Sequence, residues 1–342
     1  MPTVISSPSA TSSVPAANGE CAALSNPLFG QVVPGTNVDP ALREGWGKRF
    51  YNWEFSAGIQ RELMRGVSVD VGYYRRWYGN FTVTTNLAVG PSDFDLFSIK
   101  APVNSRLPNS GETISGLPNL KPTSFGRPSQ NFLTFADKYG KQTEHFNGVD
   151  VNVTARLVAV QLSGGFSTGR ISSDVCDLWA ARPDLQVDQA GPTTGTLNPL
   201  QFCHLDPKFT TQVKGFASYT VPRMQVQVSA AFQSAPGFTK VSQYAVTNAD
   251  AASLGRPLTG GSTLATQIIP PGQHFGPRLN QLDMRVARPF QVRTLKWTPS
   301  IDVYNVFNGN AVQQELTAFG SLGRPLLINQ ARFAKFSLNL SF

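Results

Sequence analysis

In this 342-residue chain the side chains best suited to do chemistry are three cysteines, three histidines and one short run of alternating charge. Cys21, Cys176 and Cys203 are far apart, with no CxxC pair and no Cys/His spacing of a metal knuckle. His145, His204 and His274 are equally scattered, so no two of them share a helix face as an HExxH pair does. No phosphate-binding Walker loop and no GxSxG nucleophile elbow occurs, and GRISSD and GPTTGTLNP read as turns. No nucleophile meets a base by spacing, so neither a catalytic set nor a metal or cofactor site is expected. Asp283 and Arg285 fall on one face of a period-two segment, and Asp302 belongs to the next such segment. They form either an ion-pair cluster that meets substrate or ordinary polarity on a wet face.

The elements that carry these residues are written in period two. The segment YNWEFSAGIQREL sets Trp53, Phe55, Ala57 and Ile59 against Asn52, Glu54, Ser56 and Gln60. After the turn MRG, GVSVDVGYYRRWY sets Val67, Val69, Val71 and Tyr73 against Ser68, Asp70 and Tyr74. The same unit recurs as VDVNVTARL with VQLSGGFSTG, as FTTQVKGFASYTV with MQVQVSAAFQ, and as LNQLDMRVARPF with KWTPSIDVYNVF. ARFAKFSLNLSF then alternates through Phe336, Leu338 and Leu340 to Phe342. That makes about nine strands of roughly ten to thirteen residues, near the length a tilted strand needs to cross a bilayer.

The connections alternate too. Those near Met64, Ala159, Pro222 and Arg293 are tight, and those at 79–143, 171–208, 234–277 and 309–328 are long. A soluble sandwich has no reason to gather every long loop at one end, whereas an outer-membrane barrel has short periplasmic turns and long external loops. Charged residues are 15% and aromatics 11%, which is not a disordered composition. The net charge of +8 is scattered, with no block longer than Arg75-Arg76, so nucleic acid is not an expected partner. No apolar run is long enough for a transmembrane helix, and the Ser/Pro/Ala-rich start has no signal-peptide pattern. The expected fold is all-β: an antiparallel, up-and-down transmembrane β-barrel portion over residues 46–342, preceded by a flexible, loop-like segment over 1–45. The alternative is a secreted or surface β-protein with an adhesion or display role and no transport.

WEFSAGIQREL–GVSVDVGYYRR, FNGVDVNVTARL, TQVKGFASYTVP, RLNQLDMRVAR and IDVYNVFN resemble the carboxy-terminal barrel half of TonB-dependent outer-membrane receptors. The nearest group is the Oar-like receptors that carry a carboxypeptidase-regulatory-like domain. The resemblance implies a ligand-gated transporter of the cell outer membrane, embedded in its lipid and driven by the TonB energy complex through an amino-terminal plug. No plug or TonB box is visible in the sequence. The family barrel has about 22 strands, so the chain reads as about the last two-fifths of one, an incomplete barrel. ARFAKFSLNLSF resembles the insertion signal read by the barrel-assembly machinery, at Phe336, Leu338, Leu340 and Phe342.

Cys176 and Cys203 share one long external connection, and the oxidising route to the surface makes a disulfide between them the expectation, with two free thiols as the alternative. Cys21 is left over. Trp53, Tyr73, Trp297 and Phe307 are expected as interfacial aromatics, as is Trp77; sugar-stacking platforms are the alternative for the tryptophans.

Overall fold

Nine strands follow one another in a single meandering sheet, each hydrogen-bonded to the next. The computed structural model describes residues 35–187 and 195–342; Cys21 and most of the 1–45 segment lie outside the described residues. The strands are β1 (Tyr51–Met64), β2 (Val67–Gly79), β3 (Thr143–Arg156), β4 (Val160–Asp174), β5 (Thr210–Val221), β6 (Val226–Ala235), β7 (Leu279–Ala287), β8 (Leu295–Tyr304) and β9 (Phe333–Ser341). Every pairing among them is antiparallel. The fold is thus all-β and up-and-down, and the sheet is open: among the described residues neither β1 nor β9 pairs along its outer side.

The tight turns are made by residues that tolerate left-handed backbone. Gly66 (φ 82°), Arg223 (φ 69°), Gln225 (φ 53°) and Arg293 (φ 57°) occupy three of the four. β7 stops at Ala287 and pairing with β8 resumes at Phe290–Val292 in the same register. The break falls on Arg288-Pro289, where proline has no N–H to offer the ladder.

Register puts one class of side chain on each face. Val71, Val151, Phe166 and Val213 meet in one row across β2 to β5, and Val228 with Val286, then Val286 with Ile301, extend the apolar face. On the opposite face Asp70 meets Asn152, Lys214 meets Gln233, and Ser229 meets Arg285. Among the described residues nothing covers the apolar face. Val71, Phe166, Tyr219, Val286 and Ile301, all on strands with neighbours on both sides, are 40% to 47% exposed.

The buried core lies elsewhere. The connections 79–143, 171–208, 234–277 and 309–328 are expected as loops, yet the first, third and fourth of the segments between wall strands hold four further antiparallel strand pairs. The second contains a short helix, Cys176–Ala181. Phe97, Ile114 and Leu117 from the first loop pack with Leu197 from the second, Val246 and Ile268 from the third and Leu322 from the fourth. Every member of that core cluster sits in a long loop, and none in a wall strand. The loops form a cap at one end of the sheet, and their small strands hide their own backbone groups from water.

Candidate functional site

Two surfaces can meet a ligand: the polar face of the sheet and the cap above it. The polar face carries a groove of about 670 Å³ across β3 to β7, lined by Asp150, Asn152, Gln212, Lys214, Gln233 and Asp283. Each of these comes from alternate positions of a strand, so the pleat aims all of them to the same side. Among the described residues, Asp150, Asn152 and Lys214 have no side-chain hydrogen bond or ion pair, and they stay available to a solute.

The sequence pattern grouped Asp283, Arg285 and Asp302, and the structure divides them. Arg285 Nη1 lies 3.6 Å from Asp302 Oδ1, and Lys335 stands opposite Asp302 on β9. Asp283 turns the other way along the strand. Gln281 Nε2 donates to both of its oxygens at 3.0 Å, and the Asn305 backbone N–H donates to Oδ1 at 2.8 Å. Asn305 was not foreseen as important. It is buried at φ 51°, accepts from the Gly309 N–H and donates to the Gly309 and Gln330 carbonyls, and so anchors the fourth loop to the top of β7 and β8. The signal is present in DVYNVFN, because asparagine is the non-glycine residue that best tolerates such left-handed corners.

The cap is held by charged clasps between loops. Arg256 of the third loop reaches Asp95 Oδ2 through Nε (3.1 Å) and Nη2 (2.9 Å), and Asn119 Oδ1 through Nη1 (2.7 Å). Arg182, 6% exposed, donates to the Asn86 carbonyl and to Asp184, which in turn accepts from Thr85 Oγ1 at 2.8 Å. Asp39 accepts from Lys138 and Thr134, and those bonds lower its carboxyl to a pKa of about 2. Cys176 and Cys203 are joined by a disulfide, with their Cα atoms 4.8 Å apart. His204 Nδ1 sits 2.9 Å from Asp174 Oδ2 beside it.

The aromatic residues singled out by sequence spread over both ends of the sheet. Trp53 faces Trp77 in register near the loop end. Phe307 is exposed in the fourth loop. Trp297 lies near the tight-turn end, opposite Leu340 and parallel to Phe290 with centroids 6.5 Å apart. Tyr73 stands at mid-strand instead, and its hydroxyl donates to Asn147 Oδ1 at 3.2 Å. Phe336 and Leu338 project from β9 opposite Ile301 and Pro299, and Phe342 follows the last paired residue.

Among the described residues no group of three His, Cys, Asp or Glu side chains is placed to hold a metal. The arrangement offers hydrogen-bond donors, acceptors and charge to a polar solute along one face, beneath a folded cap.

No protein-family profile matches the sequence, and no curated protein does. Among solved structures the chain is similar to the ferripyoverdine receptor of the outer membrane of Pseudomonas aeruginosa, at 12% identity and a TM-score of 0.40, over 84% of this chain and 27% of that one. It is similar to the siderophore receptor PirA from Acinetobacter baumannii at 12% identity and 0.40, over 84% and 31%. It is similar to the outer membrane transporter YddB from Escherichia coli at 11% identity and 0.43, over 91% and 34%. The chain thus spans between 27% and 34% of the length of these structures.

Proposed function

We propose that this chain forms wall strands and external loops of a TonB-dependent receptor in a Gram-negative-type outer membrane. A polar solute would be captured at the cap and would pass along the polar face of the sheet. The observation that carries this reading is the bare apolar face: the core cluster lies entirely in the loops, while Val71, Phe166, Val286 and Ile301 face outward with nothing over them among the described residues. Large side chains of this kind are each worth about 1.5–3 kcal/mol when removed from water, so a row of them across nine strands needs a lipid or an equivalent cover. In lipid every backbone group must be paired, so the strands function within a closed wall.

Coupling to the TonB energy complex belongs to the receptor as a whole. Trp53, Trp77, Trp297 and Phe307 are proposed as interfacial anchors. Phe336, Leu338, Leu340 and Phe342 are proposed as the element that the barrel-assembly machinery reads.

The test is cell fractionation with shaving. The protein is expected in the outer-membrane fraction, extractable only with detergent and heat-modifiable on gels, with protease added to intact cells cutting within 80–142 or 236–278. Protein that stays soluble without detergent and unfolds cooperatively would favour the secreted, non-transporting alternative.

A further inference from the structure

On the apolar face one row breaks the pattern. At the loop end Phe55, Arg75, Asn147 and Arg170 stand in register across β1, β2, β3 and β4. The guanidinium of Arg170 lies 4.9 Å from the Phe209 ring centroid, which completes the row at the foot of β5. The Trp53–Trp77 pair stands above Arg75 on the loop side. Among the described residues Arg75 has no acidic partner, although it projects from a face made for lipid. The acids nearby are engaged: Asp206 bonds Arg170 and Ser172, and Asp174 bonds His204 and the Cys176 N–H. A cation held among girdle aromatics is favourable only where it meets a headgroup.

A second feature lies directly below. β4 and β5 present a glycine pair, Gly164 opposite Gly215, in the middle of the apolar face. Absent side chains there leave a groove of about 710 Å³ lined by Val153, Leu162, Phe166, Thr211 and Val213. Its walls are almost wholly apolar, and the Thr168–Thr211 hydroxyl pair marks its upper end. Gly164 is six residues from Arg170, about 20 Å at roughly 3.3 Å per residue, which suits one extended acyl chain hanging from the cationic row. β3 to β5 already have both neighbours, so closing the sheet elsewhere leaves this surface as it is.

We infer that the loop end of β2 to β5 is a specific site for a phosphate-bearing lipid of the outer leaflet. The phosphate lies between Arg75 and Arg170 beside Asn147, and one acyl chain fills the groove over Gly164 and Gly215. The inference rests on the membrane reading above.

The test places the intact protein in nanodiscs containing phosphorylated lipid A or the same lipid with its phosphates removed, and counts retained lipid by native mass spectrometry. Wild type is expected to retain the phosphorylated form about tenfold more, as two basic contacts at an anionic surface allow. Arg75→Gln is expected to reduce that preference severalfold, and Arg75→Gln with Arg170→Gln to abolish it. Gly215→Leu fills the groove, since a Cβ there meets nothing within 4 Å, and is expected to lower retention of both lipids. Inserted protein that retains both forms equally, or whose preference survives Arg75→Gln, overturns the lipid site alone. Protein that stays in the aqueous fraction without detergent overturns the membrane reading and this site with it.

Discussion

Arg256 and Asp95 are 161 residues apart in sequence, yet Nη2 of one lies 2.9 Å from Oδ2 of the other. The pair ties the third long loop to the first, and the same guanidinium also reaches the Asn119 side chain. Charge-assisted bonds of this kind contribute about 1.5–3 kcal/mol, and cutting one side leaves the other unsatisfied. Arg256→Ala is therefore expected to raise amide exchange over 94–120 and 256–259 while β3 to β6 keep their protection. Equal loosening of sheet and cap would show that the two are one cooperative unit.

The shared core makes a sharper demand. Leu117 is fully buried among apolar side chains from other loops. Leu117→Ala is expected to cost the cap about 2–5 kcal/mol. Differential protease digestion reads this as new cuts in all four long loops. A cut confined to the first loop would mean the loops fold separately.

Reduction of Cys176–Cys203 releases a loop whose ends are 27 residues apart. The chain-entropy account gives about 3.6 kcal/mol for a loop of that length. Cys176→Ser with Cys203→Ser is expected to expose residues 176–203 to protease without changing the amount of folded sheet. No change in digestion would leave the bond without a stabilising role.

Acid should loosen one corner first. The Asp39 carboxyl is lowered from 3.8 to about 2 by its bonds to Lys138 and Thr134, so its contribution is complete above pH 3.8 and fades as pH falls toward 2. Protection at Ala41 and Leu42, taken relative to the intrinsic exchange rate at each pH, is expected to fall over that window in wild type, and to be low and flat with pH in Asp39→Asn. A wild-type profile as flat as the variant's would contradict the assignment.

Two glycines on facing strands should respond in opposite ways. A Cβ on Gly165 would fall 1.9 Å from the Val151 carbonyl oxygen, a backbone atom that cannot step aside, whereas one on Gly215 meets nothing within 4 Å. Gly165→Ala is expected to prise β3 from β4 and to lower the yield of heat-modifiable protein several-fold. Gly215→Ala should leave the yield unchanged.

The sheet was legible in the sequence because each wall strand repeats one rule for ten residues or more, and Val71, Val151 and Phe166 obey it from strand to strand. The cap was not. Its buried residues arrive in short strands such as Phe94–Lys100 and Thr113–Leu120, and the cluster they join reaches to Leu322, more than two hundred residues further along the chain. Periodicity reports a local face and says nothing of what covers it. The charged trio is legible only in part: period two puts Asp283 and Arg285 on the polar face, where both lie and where Arg285 faces Asp302, but the loop corner at Asn305 gives Asp283 a backbone N–H that no periodicity announces. Tyr73, expected among the interfacial aromatics, is the seventh of the 13 residues of β2 and so stands away from both strand ends.

Because one small core draws on all four long loops, the capped end of the sheet is inherited as a block. A transplanted loop would arrive without the side chains its three neighbours are shaped to receive. An insertion at one tip would be felt at the others. Antibodies or phage that recognise this face would therefore meet a composite epitope assembled from distant stretches of the chain, and linear peptides copied from any single loop would be poor mimics of it.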